Sequence, residues 1–151
     1  FKLAKMGGTI DFTCGQFEEK IKELAASLRA AKEAGVPMDK VTISSDGQGS
    51  WSNYDAEGKL VEIGVSDVDT IYRQIVYMVK EENMDLEELL ALGTKNPAMA
   101  LELYPKKGAV KEESDADILI MNEDLSLDTV IAMGVPMMRD GKILKKGTYE
   151  K

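Results

Sequence analysis

Val41-Thr42-Ile43-Ser44-Ser45-Asp46-Gly47-Gln48-Gly49-Ser50 is the stretch on which the reading of this chain turns. Val41, Thr42 and Ile43 are β-branched and suit a pleated backbone. Ser44 and Ser45 are small and let neighbouring chain come close. Asp46 falls where the strand should end, and Gly47 and Gly49 permit a sharp turn beside it. Barrel and open α/β enzymes place catalytic groups at the carboxyl ends of parallel strands. An Asp-Gly pair also opens many ordinary turns, and these ten residues taken alone favour the turn.

Working outward, Thr9–Thr13 alternates and carries β-formers, so it reads as a strand. Phe17 to Ala34 is an amphipathic helix, with Phe17, Ile21, Leu24, Ala25, Leu28 and Ala31 at helical spacing. Gly35 closes it and Pro37 prevents continuation. Strand Lys40–Ser45 follows. Strand, long helix, strand is a βαβ unit, which implies parallel pairing. Phe1 to Met6 looks helical and ends at Gly7-Gly8. Its uncapped start, without an initiator Met, is ordinary for a fragment.

After Ser50 the pattern weakens. Trp51 to Ile63 reads as a polar loop, long enough to be functional. Trp51 and Tyr54 within it either line a pocket or pack the loop. Ser66 is positioned to cap a helix whose apolar stripe is Val68, Ile71, Tyr72, Ile75, Val76 and Val79. Asp85 starts a second helix, with Leu86, Leu89, Leu90 and Leu92 facing inward and Gly93 ending it. Asn96-Pro97 reads as a cap and first helical residue of a short helix to about Leu103. The period then changes. Ile118–Met121, Thr129–Met133, Val135–Met138 and Ile143–Lys145 are β candidates, the last two joined by a hairpin turn at Arg139-Asp140-Gly141-Lys142. The shift near Tyr104-Pro105 marks a boundary.

Composition narrows the chemistry. The chain has 151 residues, 44% of them hydrophobic, which suits a domain with a real core. No apolar run approaches the ~20 residues of a membrane span, and Phe1–Lys5 does not begin a signal peptide. The formal net charge of −8 argues against a nucleic-acid partner. The single cysteine, Cys14, rules out a disulfide within the chain and makes the cytoplasm the natural compartment. It reads as a small packing residue rather than a nucleophile. No histidine is present, so neither a Ser-His-Asp triad nor a three-His zinc site can be built from this chain. Its chemistry must rest on carboxylates or on groups supplied by other protein.

Thr94-Lys95-Asn96-Pro97-Ala98, Leu101, Leu103, Lys107-Gly108 and Ser114-Asp115-Ala116-Asp117-Ile118 together resemble the tail of the amidohydrolase superfamily. There the chain leaves a metal-dependent (β/α)8 barrel for a small β-sandwich. Val130, Gly134 and Asp140-Gly141-Lys142 continue the pattern. Gly7-Gly8-Thr9-Ile10-Asp11-Phe12-Thr13 and the block 44–50 are similar to the isoaspartyl (β-aspartyl) dipeptidases within that superfamily. The tail pattern points to the superfamily and the Ser-Asp-Gly-x-Gly-Ser block to the dipeptidases.

The resemblance implies an α/β fold made of the last two βα units of the barrel, residues 1–103, followed by C-terminal sandwich strands, residues 104–151. Asp46 would be the carboxylate at the end of the final barrel strand, both metal ligand and proton shuttle. Ser50 matches a serine that holds substrate. Asp11 lies inside its strand and reads as structural. The implied cofactor is a divalent metal, zinc by expectation and binuclear in the intact enzyme. The histidines and the bridging carboxylate or modified lysine of such a centre are absent, and one Asp is fewer than the about three protein ligands a catalytic zinc takes. The chain is therefore expected to be the C-terminal part of a longer cytoplasmic enzyme, inactive alone, which cleaves β-aspartyl dipeptides by metal-activated hydroxide. The missing N-terminal part of the same polypeptide and further copies in a homo-oligomer would be its partners. The alternatives are another amidohydrolase, dihydroorotase-like or deacetylase-like, and a non-catalytic α/β binding module.

Overall fold

The computed structural model describes residues 1–147. A short helix α1 (Lys2–Lys5) leads into strand β1 (Ile10–Thr13). Helix α2 (Glu18–Glu33) then returns the chain to β2 (Val41–Ser44). These two strands pair in parallel, in a register that sets Ile10 beside Val41 and Thr13 beside Ser44. The expected βαβ unit is present. Its crossover helix turns Ile21, Leu24, Ala25, Leu28 and Ala31 inward, as the spacing requires. Phe17 is an exception. It occupies the N-cap position rather than the helix, and 45% of it stays exposed.

The stretch 51–63 is not a loop. It forms most of a hairpin of β3 (Ser50–Tyr54) and β4 (Leu60–Val65), with Trp51 opposite Gly64. The alternation that betrays a strand was missing because almost every residue of both strands lies outward. With no buried face, period-two patterning has nothing to act on. The turn between the strands is set by Asp55, which accepts the N–H groups of Glu57 and Lys59 at 3.1 and 2.8 Å.

Helix α3 (Thr70–Lys80) starts later than its expected cap. Asp69 is the N-cap residue, and Ser66 instead joins the hairpin base: its N–H donates to Gly49 O at 2.8 Å, and its carbonyl accepts from Gln48 N at 2.9 Å. The helix presents two working faces. Thr70, Gln74, Ile75 and Met78 are buried, and Gln74 donates to Ile21 O of α2 at 2.9 Å. Ile71, Tyr72, Ile75 and Val76 line an apolar cleft of about 240 Å³ shared with Leu119 and Leu125. The expected stripe misplaced Val68, which is 59% exposed, and overlooked the buried polar residues, because Gln74 finds its acceptor on α2 and Thr70 finds its own in the carbonyls of Ser45 and Asp67.

Helix α4 (Leu86–Gly93) opens on Asp85, whose carboxylate accepts from Glu88 N at 2.8 Å, as a capping residue should. Helix α5 (Lys95–Ala100) begins one residue before Asn96, so Asn96 is not its cap. The side chain reaches away from the helix and donates to Met38 O and Val41 O, both at 2.8 Å. The main core lies between α2, β2, α3 and α4, where Leu28, Val41, Met78, Leu89 and Leu92 are at most 1% exposed.

Beyond α5 a four-stranded antiparallel sheet follows in the order β5 (Ile118–Met121), β6 (Leu127–Ala132), β7 (Val135–Arg139), β8 (Lys142–Ile143). The predicted turn at 139–142 joins β7 to β8, with Asp140 and Gly141 both left-handed at φ 50° and 69°. The end of the expected 104–151 unit, residues 148–151, lies outside the described residues. The molecule is thus a mixed α/β structure with a helical first part and a strand-rich tail.

Candidate active site

The site forms where β1 and β2 end. Asp46 lies two residues beyond β2, in the left-handed region at φ 49°. Gly49 N–H donates to Asp46 O at 2.9 Å and closes a tight turn. A Cβ on Gly49 would stand 2.6 Å from Asp46 Oδ1, so the carboxylate lies directly over this glycine. Any larger residue at 49 would push the carboxylate aside. Ser45 Oγ accepts from Gly47 N at 3.0 Å and tightens the same turn. The Asp46 side chain is exposed and, among the described residues, accepts no hydrogen bond.

Asp46 opens onto a cavity of about 450 Å³, a size suited to a small molecule. The β1–α2 connection forms one wall through Cys14, Gln16 and Phe17, and the hairpin forms another through Trp51 and Asn53. Phe17 and Trp51 meet edge to face, 5.0 Å between ring centres and 86° between planes. Gln16 Oε1 accepts from Asp67 N at 3.1 Å, which orients the amide, while its Nε2 is buried with no partner. Lys20 at the rim is paired with Glu23 at 2.7 Å.

The two residues singled out in the sequence do not share this cavity wall. Ser50 is exposed, begins β3 opposite Val65 and does not line the cavity. Of the two aromatic candidates, Trp51 lines the cavity, whereas Tyr54 is 63% exposed and does not. Asp11 is held within the sheet: its carboxylate accepts from Thr42 Oγ1 at 2.6 Å and Ser44 Oγ at 2.5 Å. Cys14 is 4% exposed, and burial, reinforced by the negative charge of Asp11, pushes its thiol up to about 12. A thiol so protonated is no nucleophile at neutral pH. Gln16, Phe17 and Asn53 were missed as lining residues. The signal for the first two was their place just after a parallel strand, where α/β loops build sites. Asn53 required the hairpin to be recognised first.

Among the described residues no three His, Cys, Asp or Glu side chains come together to hold a metal ion. These residues alone therefore do not fit a catalytic metal centre. No helix among the described residues is long and apolar enough to cross a membrane.

The amidohydrolase family model matches residues 2–144. A crystal structure of β-aspartyl dipeptidase from Fervidobacterium islandicum AW-1, in complex with a β-Asp-Leu dipeptide, superposes with a TM-score of 0.79 and 36% sequence identity. The match covers 97% of this chain and 38% of that one. A second crystal structure of β-aspartyl dipeptidase from that bacterium gives a TM-score of 0.70 and 32% identity, covering 97% of this chain and 35% of the other. A dihydroorotase from Methanosphaera stadtmanae is 30% identical over 88 residues, 58% of this chain and 17% of its own length. The chain thus spans little more than a third of the dipeptidases it resembles.

Proposed function

The chain belongs to the amidohydrolase family, and from that premise we propose that it is the C-terminal part of a metal-dependent hydrolase of β-aspartyl dipeptides. The observation that carries this reading is Asp46, an unbonded carboxylate at the end of a parallel strand, facing a cavity of about 450 Å³. The likeness to β-aspartyl dipeptidase over 97% of the chain supports the substrate class. In this reading β1 and β2 are barrel strands, residues 1–103 finish the barrel, and 104–151 supply sandwich strands. A parallel sheet of only two strands leaves both edges unpaired, and further strands would complete it.

A divalent ion, zinc in our reading, supplies a nucleophile from water at neutral pH when bound. Its remaining ligands come from protein outside these residues. Asp46 would provide one ligand oxygen to such an ion, and its carboxylate would take the proton lost by the water and return it to the amine nitrogen released when the amide C–N bond breaks. Ser50 stands outside the wall of this cavity, so a role for its hydroxyl in holding a substrate carboxylate would require the substrate to reach beyond it to the start of β3. The decisive assay uses the full-length protein with β-Asp-Leu. We expect hydrolysis, and a loss of roughly 10²–10⁴ in kcat on Asp46→Asn with substrate binding retained. Undiminished turnover by Asp46→Asn would remove the acid from the mechanism.

The dihydroorotase match favours a second reading, hydrolysis of a cyclic amide. Assaying the full-length protein against dihydroorotate beside β-Asp-Leu separates the two.

A further inference from the structure

We infer that Trp51 is a specificity-determining residue of this site, taking a large apolar side chain of the residue that leaves when the dipeptide is cleaved; the inference rests on the dipeptidase reading above. Trp51 lines the same cavity as Asp46. Its indole is held from two sides. Gly64 faces it across the hairpin, where a Cβ would stand 2.2 Å from Trp51 Cζ2, so only glycine there lets the ring lie against the opposite strand. Phe17 meets it edge-on at 5.0 Å. The side chain is half-buried, clamped but not absorbed into the main core.

The chemistry of the substrate decides which half such a wall can serve. The β-aspartyl half carries an ammonium group, a carboxylate and one methylene, and it is the same in every substrate. Only the leaving residue brings a variable side chain. An aromatic wall beside the acid therefore discriminates among leaving residues, and favours apolar ones because their burial removes hydrocarbon surface from water.

The test compares kcat/KM for β-Asp-Leu and β-Asp-Gly in the full-length, metal-loaded protein. The wild type is expected to favour β-Asp-Leu. Trp51→Ala should lower the Leu-to-Gly ratio by roughly tenfold or more, mainly through KM for the leucine substrate. Trp51→Phe should restore most of the ratio. Gly64→Ala, which displaces the indole without removing it, should move the ratio the same way as Trp51→Ala. Should Trp51→Ala fail to fold, the Phe and Gly64→Ala variants carry the same comparison. A ratio unmoved by these variants, or parallel losses on both substrates, overturns the inference and leaves Trp51 a packing residue. A wild type that cleaves neither dipeptide sinks the dipeptidase reading and this inference with it.

Discussion

At the scale of the residue, two carboxylates, one within β1 and one just beyond β2, show how environment separates similar chemistry. Asp46 stands free at a cavity, while the Asp11 carboxylate is spent on the hydroxyls of Thr42 and Ser44. Cys14 illustrates the same point for a nucleophilic group. Burial holds its thiol neutral, from an ordinary 9.0 up to about 12. A thiol reagent at mildly alkaline pH should leave Cys14 unmodified in the native protein and label it once the chain is unfolded, as mass spectrometry would show. The linkage has a definite sign. The folded value lies above the unfolded one, so the neutral thiol favours the fold below 9.0. That contribution declines as pH rises toward about 12. Rapid native labelling would contradict the burial that Cys14 is assigned.

At the scale of the element, the joints are made by polar side chains that leave their own helix. Asn96 sits in α5 at 5% exposure and bonds the carbonyls of Met38 and Val41, fixing the helix to the start of β2. Gln74 does the same between α3 and α2. Asn96→Ala should destabilise by roughly 1–3 kcal/mol, because the buried bond to the Val41 carbonyl and the half-buried one to the Met38 carbonyl are both lost. Urea unfolding with an unchanged m-value would measure it. A smaller loss would mean that water replaces the amide. The strand carrying Asp46 then depends on a helix more than fifty residues away, a dependence that no local pattern reveals.

At the scale of the whole molecule, the tail sheet is fastened to the segment after α5 by a cluster around Lys107. Its ammonium pairs with Asp115 at 3.1 Å and with Asp117, whose other oxygen accepts Met133 N–H at 2.7 Å. The Lys107 hydrogen bond, with that of Met133, holds the Asp117 carboxyl below its usual 3.8. A depressed carboxyl stabilises the fold above its unfolded value and loses that effect as pH falls through the folded one. Stability should therefore decline on acidification from about pH 4, and Lys107→Met should flatten that part of the profile, followed by thermal denaturation across pH. An unchanged acid limb would show that the cluster is too well solvated to matter.

The sequence by itself determined the family, the βαβ unit, the three later helices, the β7–β8 turn and the candidacy of Asp46. These rest on local signals: helical spacing on α2, an Asp cap on α4, an Asp-Gly pair at 140–141, and a short motif whose residues are adjacent in the chain. Tertiary structure alone decided the rest. The hairpin 50–65 has no buried face, so its strands carry no alternation to read. Asn96 and Ser66 had capping chemistry, but distant carbonyls claimed the Asn96 amide, and Ser66 is held through its backbone at the hairpin base, ahead of the helix. The cavity joins a wall from residues 14–17 to one from 51–53. Such a juxtaposition is set by how strands and helices pack, and packing energy depends on which surfaces meet rather than on the order of residues along one of them.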